Sequence, residues 1–149
     1  MTYLTLSNIS KQFADSYAVR DFNLDVEKGE FVSFLGPSGC GKTTTLRMVA
    51  GFETPTTGTI KIGGKDITDK APNQRNVGMV FQAYALFPNM TVAQNIGFGL
   101  RVRNSSPSAI KDRVREMVSL VNLENHVDKY PFQLSGGQQQ RVSLARALA

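Results

Sequence analysis

A glycine-rich stretch in the first third of the chain carries the residue types that bind phosphate. Gly36 is followed five positions later by Gly41, and then by Lys42 and Thr43. This spacing matches the pattern G-x-x-x-x-G-K-T, whose glycines let successive backbone N–H groups turn toward an anion. Lys42 offers a point charge to the β- and γ-phosphates of a nucleotide, and the Thr43 hydroxyl is an oxygen ligand suited to Mg²⁺. The predicted binding residues are Gly36, Pro37, Ser38, Gly39, Cys40, Gly41, Lys42, Thr43 and Thr44.

A second stretch near the end of the sequence has the same anion-binding character. Ser135-Gly136-Gly137-Gln138 has the spacing of a capping box, so Ser135 is predicted to cap a helix that begins with two glycines. The free N–H groups of such a helix start form an anion site. A single domain does not need two sites of this kind for one nucleotide. The residues alone leave a purely structural cap open at this point.

The elements that must position these residues are predicted from the apolar pattern. Strand-like alternation or clustering occurs in five segments, 3–9, 22–26, 31–35, 59–62 and 77–81. The nearly continuous apolar run 31–35 is typical of a central strand that is covered on both faces. A helix is predicted from Thr44 to Ala50, ended by Gly51.

Helices are predicted for the part of the chain that follows Gln82. Thr91 begins a capping box, and Ser106-Pro107 is an N-cap followed by proline at the first helical position. The helix after it places apolar residues on one stripe, at Ile110, Val114, Met117, Val118 and Val121. The last helix reaches Ala149 without a stop signal, so we expect the natural protein to continue beyond this sequence.

Composition restricts the class of protein and its partners. The 149 residues have 41% hydrophobic and 19% charged side chains, which is typical of a folded chain. The net charge of +5 comes from scattered residues, and we expect no nucleic-acid partner. No apolar run is long enough to span a membrane, and the N-terminus does not resemble a secretion signal. The single cysteine, Cys40, fits a reducing compartment and is either a small tolerated side chain or a reactive thiol.

The two motifs together carry a family resemblance. Leu134-Ser135-Gly136-Gly137-Gln138 resembles the signature motif of ABC transporter ATPases, and the phosphate-binding pattern lies upstream at the expected separation. The resemblance covers the whole chain. It implies an α/β fold with a P-loop NTPase (RecA-like) core, an antiparallel β edge and an α-helical ABC subdomain, incomplete at the C-terminus. It divides the sequence into a nucleotide-binding core (1–85), a helical subdomain (86–134), and the signature with the start of its helix (135–149).

The resemblance also implies roles for individual residues, with ATP and Mg²⁺ as ligands. Phe13 occupies the place of the aromatic residue that stacks on adenine, with Tyr17 as the weaker candidate and a core position as the alternative for both. Gln82 matches the glutamine that contacts Mg²⁺ and water, and a plain polar residue at a strand end is the alternative. His126 does not match the family's switch histidine and is given no role.

Partners follow from the same resemblance. Two ATPase subunits are expected to pair head to tail, so that Ser135, Gly136, Gly137 and Gln138 of one close on the nucleotide of the other. Transmembrane permease subunits are expected to dock near Tyr84, Leu86 and Phe87, with a core position as the alternative for these residues. A solute-binding protein is expected to act indirectly. The stretches 75–82 and 84–88 are similar to bacterial importers of the sugar, polyamine, ferric-iron, sulfate and phosphonate group. We expect a cytoplasmic subunit on the inner face of the membrane, and we favour polyamine, ferric iron or phosphonate over a sugar of the maltose type as cargo.

The residues that would complete hydrolysis are not in this sequence. The resemblance places an apolar strand ending in Asp-Glu, and then the switch histidine, after Ala149. The full-length parent is therefore expected to be an ATPase that couples hydrolysis to solute import. This sequence alone is expected to bind ATP weakly at best and to hydrolyse little, since loss of a general base costs roughly 10²–10⁴-fold in rate. Two alternatives are a non-catalytic partner that donates its signature, and a non-transport ABC protein.

Overall fold

The computed structural model describes residues 2–149, which form two compact units. One unit extends to Val77, and the other is Gly78–Ala149. The first contains the phosphate-binding stretch and an antiparallel sheet, and the second contains the signature stretch and most of the helices. The sequence-based division into 1–85, 86–134 and 135–149 stays a prediction.

The sheet of the first unit has four antiparallel strands in the order β2-β1-β3-β4. Their bounds are β1 (Thr2–Phe13), β2 (Ser16–Glu27), β3 (Thr57–Ile62) and β4 (Lys65–Asp66). β1 and β2 form a long hairpin, and the tight turn between them places Ala14 at φ 48°. The predicted strands at 3–9, 22–26 and 59–62 are confirmed, because each lies inside one of these elements.

One helix, α1 (Lys42–Ala50), packs on this sheet. The shared core contains Leu6, Ile9, Val19, Met48, Ile60 and Ile67. The predicted stop is confirmed, since Gly51 at φ 85° donates to the last carbonyls of the helix in a conformation that glycine adopts at little cost. Arg75 is also buried there, and its guanidinium donates to the carbonyl oxygens of Met48 and Val49.

The second unit is helical and has its own core. It contains α2 (Val92–Ile96), α3 (Phe98–Val102), α4 (Pro107–Leu120) and α5 (Gly136–Leu148), with 3₁₀ turns at Glu124–His126 and Pro131–Gln133. Thr91, Ser106 and Ser135 cap α2, α4 and α5 with their side chains, as predicted. The apolar stripe of α4 contributes Met117, Val118 and Val121 to the core. The other core residues are Val92, Ile96, Leu123, Leu134, Val142 and Ala145.

Two predicted core strands are wrong. The segments 31–35 and 77–81 form no regular secondary structure, and Phe31 and Leu35 are each 92% exposed. A strand requires hydrogen bonds to a neighbouring strand, and neither segment is part of a ladder among residues 2–149.

The lengths and compositions of the helices bear on whether any of them could cross a membrane. Among residues 2–149, no helix combines the length and the apolar character that a membrane crossing requires.

Candidate functional site

The phosphate-binding stretch forms an exposed loop that leads directly into α1. Residues 36–40 are exposed, and Gly41 is buried against β2 at φ 93°. A Cβ atom at Gly41 would overlap with the carbonyl oxygen of Ala18, so no other residue fits there without moving the strand or the loop. The close contact fixes where α1 begins relative to β2.

The start of α1 lacks a side-chain cap. Gly41 is its N-cap and has no side chain to accept from the first turn, although Thr45 Oγ1 donates to the Gly41 carbonyl oxygen at 3.0 Å. The first N–H groups of a helix have no intrahelical partner, and the helix dipole places partial positive charge beside them. The N–H groups at this end of α1 are therefore able to bind an anion.

Lys42 folds back over the same loop. Its ammonium group donates to the carbonyl oxygens of Gly36 and Pro37, at 2.7 Å each, and to Cys40 Sγ at 3.4 Å. A lysine ammonium has three donors, and sulfur is a weak acceptor. The Cys40 contact is thus the one that an incoming anion replaces at the lowest cost.

The two aromatic candidates lie at the hairpin end of β1 and β2. Phe13 is 45% exposed and Tyr17 is 47% exposed, so neither ring belongs to the core. The register pairs Phe13 with Ser16 and Gln12 with Tyr17. Neighbouring pairs in an antiparallel ladder project to opposite faces, so the two rings lie on opposite faces of the hairpin. Stacking of either ring on adenine stays a prediction.

The signature stretch begins α5 as a complete capping box. Ser135 Oγ accepts from the Gln138 N–H at 3.3 Å, and Gln138 Oε1 accepts from the Ser135 N–H at 2.9 Å. Ser135, Gly136 and Gly137 are exposed. A Cβ atom at Gly137 would meet nothing within 4 Å, and one at Gly136 would lie 3.5 Å from the Tyr84 hydroxyl oxygen. The start of this helix is open to a ligand or to another chain.

Sequence reasoning assigned no role to His126, but the structure places it against the signature. Its Nε2 lies 3.1 Å from Gln138 Nε2. Because Gln138 Oε1 already accepts from Ser135, the amide NH₂ group faces the ring and donates to it. His126 Nδ1 is buried and makes no hydrogen bond within residues 2–149. The residues next to His126 in the sequence carried no signal for this contact.

Gln82 lies in an exposed turn of the second unit. The turn continues into Tyr84 and Ala85, which have left-handed φ angles of 61° and 49°. α5 supports it, because Arg146 donates to the carbonyl oxygens of both residues. Burial lowers the pKa of the Arg146 guanidinium from its ordinary value. Gln82 therefore lies in a strained turn that α5 stabilises through Arg146.

The apolar residues after Gln82 divide between core and surface. Leu86 packs against the core of the second unit. Phe87 is 36% exposed, and its ring contacts Phe98 with centroids 4.5 Å apart. Buried Asn95 fixes this segment, since its side chain accepts from the Phe87 N–H and donates to the carbonyl oxygens of Phe87, Met90 and Thr91. The role of this surface in docking a permease stays a prediction.

Comparison with protein families decides the assignment. The family model described as ABC transporter matches residues 19–149, which include both glycine-rich stretches. The chain belongs to the ABC transporter family. The family resemblance seen in the motifs is confirmed.

Curated members of the ABC family with similar sequences are ATP-binding proteins of import systems. The spermidine/putrescine import ATP-binding protein PotA of Thermobifida fusca is 53% identical over 97% of this chain and 39% of its own length. The sulfate/thiosulfate import ATP-binding protein CysA of Gloeobacter violaceus is 53% identical over 98% of this chain and 42% of its own. The Fe(3+) ions import ATP-binding protein FbpC of Escherichia coli O157:H7 is 49% identical over 98% and 42%. The chain thus spans about two fifths of the length of these ABC proteins.

Solved ABC cassettes confirm the fold class as mixed α/β. The structure described as a dimeric structure of MJ0796, a bacterial ABC transporter cassette, has a TM-score of 0.89 and 35% identity, over 98% of this chain and 69% of that one. A second, described as a dimeric post-hydrolysis state of the same cassette bound to ADP and Pi, has a TM-score of 0.87 and 35% identity, over the same shares of the two chains. The antiparallel sheet and the helices of this chain therefore form a partial ABC cassette.

Proposed function

We propose that this chain is the nucleotide-binding part of the ATPase subunit of an ABC importer. The observation that carries the proposal is the start of α1, which follows the phosphate-binding loop without a side-chain cap. By contrast, Thr91, Ser106 and Ser135 fill that position at α2, α4 and α5. The β- and γ-phosphates of ATP would accept from the open N–H groups of α1 and from Lys42.

Mg²⁺ would be held mainly by the nucleotide. Thr43 is exposed in the first turn of α1, and its hydroxyl is suited to one coordination position. Among residues 2–149, no three His, Cys, Asp or Glu side chains gather into a metal site. Mg²⁺ commonly keeps several waters and binds through substrate phosphates, so the Thr43 hydroxyl needs little help from other protein ligands. Gln82 as a second ligand stays a prediction. Bound Mg²⁺ would neutralise charge on the phosphates.

The signature stretch would serve a second copy of the subunit. The N–H groups of Gly136 and Gly137 belong to the first turn of α5, where N–H groups have no intrahelical partner. Exposure of both glycines allows another chain's nucleotide to approach them closely. Two structures of one solved relative with 35% identity are described as dimeric, which supports the pairing of two subunits.

The same proposal covers the membrane partners and the cargo. Permease subunits would dock beside the turn that carries Gln82, so that nucleotide closure and transport are coupled at one element. The relatives named for polyamine, sulfate and ferric-iron import are 53%, 53% and 49% identical, so overall identity does not select a cargo. Hydrolysis would need the general base that the resemblance places beyond this sequence.

Nucleotide binding is tested in the protein at its full natural length. We expect wild type to bind ATP and Lys42→Ala to bind it at least about 10-fold more weakly, because a charge-assisted contact to phosphate is lost. Lys65→Ala is the matched control, since Lys65 is an exposed lysine of β4 in the same unit. Equal affinities for Lys42→Ala and Lys65→Ala would overturn the proposed site.

Co-purification separates import from the alternatives. Permease subunits that copurify with the wild type, and are lost when Gln82 and Phe87 are both replaced by alanine, support the importer. Copurifying ribosomes or DNA support a non-transport ABC protein. A longer ATPase copy that copurifies and supplies all the hydrolysis supports a partner that donates only its signature.

A further inference from the structure

An arginine on β2 lies beside the phosphate loop and is not used by either motif. Arg20 and Lys42 line one cavity of about 440 Å³, together with Cys40 and Gly41. The Arg20 guanidinium makes no ion pair or side-chain hydrogen bond within residues 2–149. It lies instead over the Tyr17 ring, 4.4 Å from the ring centroid. The five N–H donors of this guanidinium are therefore available to a ligand in the cavity.

Two bulges in β2 aim Arg20 toward the loop. The register advances from Ile9–Phe22 to Lys11–Val19 and then to Gln12–Tyr17, which leaves one extra residue on β2 in each step. Bulges of this kind redirect side chains and are frequent beside active sites. Arg20 lies inside the first of these bulges, where it and Asp21 together oppose Ser10.

The bulge that contains Arg20 is held by a polar contact. Asp21 has a left-handed φ of 43°, and its N–H donates to Ser10 Oγ at 3.0 Å. Ser10 is 4% exposed, so this contact is protected from water. A non-glycine residue in this conformation is strained, and such strain persists only where surrounding contacts enforce it. The bulge therefore fixes the direction in which the Arg20 side chain leaves β2.

The order of groups along β2 indicates which part of a nucleotide Arg20 would meet. The hairpin end of β2 has the aromatic ring of Tyr17, and Val19 and Ala18 contact the place where Gly41 begins α1. A nucleotide with its base at the aromatic end and its β- and γ-phosphates at Lys42 must place its ribose and α-phosphate between them. A guanidinium stacked on an aromatic ring loses little further freedom when it binds phosphate oxygens.

We propose that Arg20, held on the Tyr17 ring, binds the α-phosphate of the nucleotide. It would then act beside Lys42 and the N–H groups at the start of α1. This inference rests on the proposed nucleotide function of the loop. Arg20 would contact the α-phosphate, whereas Lys42 would contact the β- and γ-phosphates.

The test compares Arg20→Gln, Arg20→Lys and Lys65→Gln in the protein at its full natural length, with affinities measured by calorimetry. We expect Arg20→Gln to bind ATP roughly 10- to 100-fold more weakly than wild type, the range for a hydrogen bond to a charged group. Arg20→Lys should recover part of the loss, and Lys65→Gln should change the affinity less than about 2-fold, in line with a distant surface charge.

The decisive probe is ATP with one α-phosphate oxygen replaced by sulfur, used as its two separate diastereomers. Wild type should discriminate between the diastereomers, and Arg20→Gln should lose that discrimination, which a merely structural defect would not change selectively. Undiminished discrimination in Arg20→Gln, or an ATP affinity equal to that of Lys65→Gln, would overturn the α-phosphate contact while wild-type binding still supports the site. If wild type binds no ATP, or if Lys42→Ala binds it equally well, both proposals fail together.

Discussion

Ser143 on α5 donates a hydrogen bond of 2.8 Å from its hydroxyl to the carbonyl oxygen of Tyr84. Ser143 is 1% exposed, and Tyr84 belongs to the left-handed turn that follows Gln82. The same helix begins at Ser135 with the signature stretch. One element of the second unit therefore joins two motifs that lie more than 50 residues apart in the sequence.

Replacing this buried hydroxyl should loosen the turn. We expect Ser143→Ala to lower the free energy of unfolding by about 0.5–1.5 kcal/mol, the usual net worth of an intramolecular hydrogen bond. Ser119→Ala on α4 is the control, because it shares the gain in helix propensity but removes an exposed hydroxyl. Chemical denaturation of both variants measures the difference, and equal effects would show that the Tyr84 contact contributes nothing.

Arg75 should be essential for the end of α1. Its guanidinium donates to four backbone carbonyl oxygens, at Met48, Val49, Thr68 and Lys70, at 2.7–3.1 Å. Burial lowers the pKa of this guanidinium below its ordinary value. We expect Arg75→Met to destabilise the protein by at least about 2–3 kcal/mol, because buried acceptors that lose their donor keep their desolvation cost.

The control for Arg75 is Arg47→Met. Arg47 is an exposed arginine of α1, so its replacement removes the same type of side chain without opening buried carbonyl groups. Thermal unfolding followed by circular dichroism compares the two variants. A similar midpoint for both would contradict the structural role of Arg75.

Two glycines of the phosphate loop should differ in their tolerance of alanine. Gly39 and Gly41 both have left-handed φ angles, of 83° and 93°. An alanine at Gly39 meets no atom within 4 Å and should cost only the conformational strain, about 1–2 kcal/mol. An alanine at Gly41 also meets the Ala18 carbonyl oxygen and must displace the loop from β2.

ATP affinity and thermal stability, measured for both glycine variants, test this difference. We expect Gly41→Ala to lower the unfolding midpoint more than Gly39→Ala and to lose ATP binding. A Gly41→Ala protein with the stability of Gly39→Ala would show that the contact with β2 is easily relieved.

Lowering the pH should remove the contribution of Asp66 to the free energy of unfolding. The Thr68 hydroxyl donates to Asp66 Oδ1 at 2.6 Å and the Thr68 N–H donates at 2.9 Å, and these bonds lower the pKa of this carboxyl below 3.8. A lowered folded-state pKa gives stability that is present above the unfolded-state pKa and is lost as the pH falls through the folded-state value. The stability difference between wild type and Asp66→Asn should therefore be constant above about pH 5 and shrink below about pH 4.

Unfolding measured from about pH 2 to about pH 7 tests this sign. Asp15→Asn at the hairpin turn is the control, because no hydrogen bond to its carboxylate occurs within residues 2–149. A difference for Asp66→Asn that grows at low pH would contradict the role assigned to Thr68.

Local sequence determined the helix boundaries and most of the sheet. Ser135, Thr91 and Ser106 cap helices because a short side chain can accept from an N–H three residues ahead, which is a property of the local chain. The pattern around Gly36 and Lys42 predicted the phosphate loop for the same reason, since consecutive residues supply its donors. Family membership followed because both motifs are short and contiguous.

The tertiary structure decided what depends on partners distant in the sequence. The apolar segments 31–35 and 77–81 have strand-like composition, but strands exist only when a neighbour provides the ladder, and none does so among residues 2–149. The contact of His126 with Gln138, and the support of the Tyr84 turn by Ser143 and Arg146, arise from packing between helices. The direction of Arg20 likewise depends on bulges, which the alternation of residues does not encode, because they are set by the register between β1 and β2.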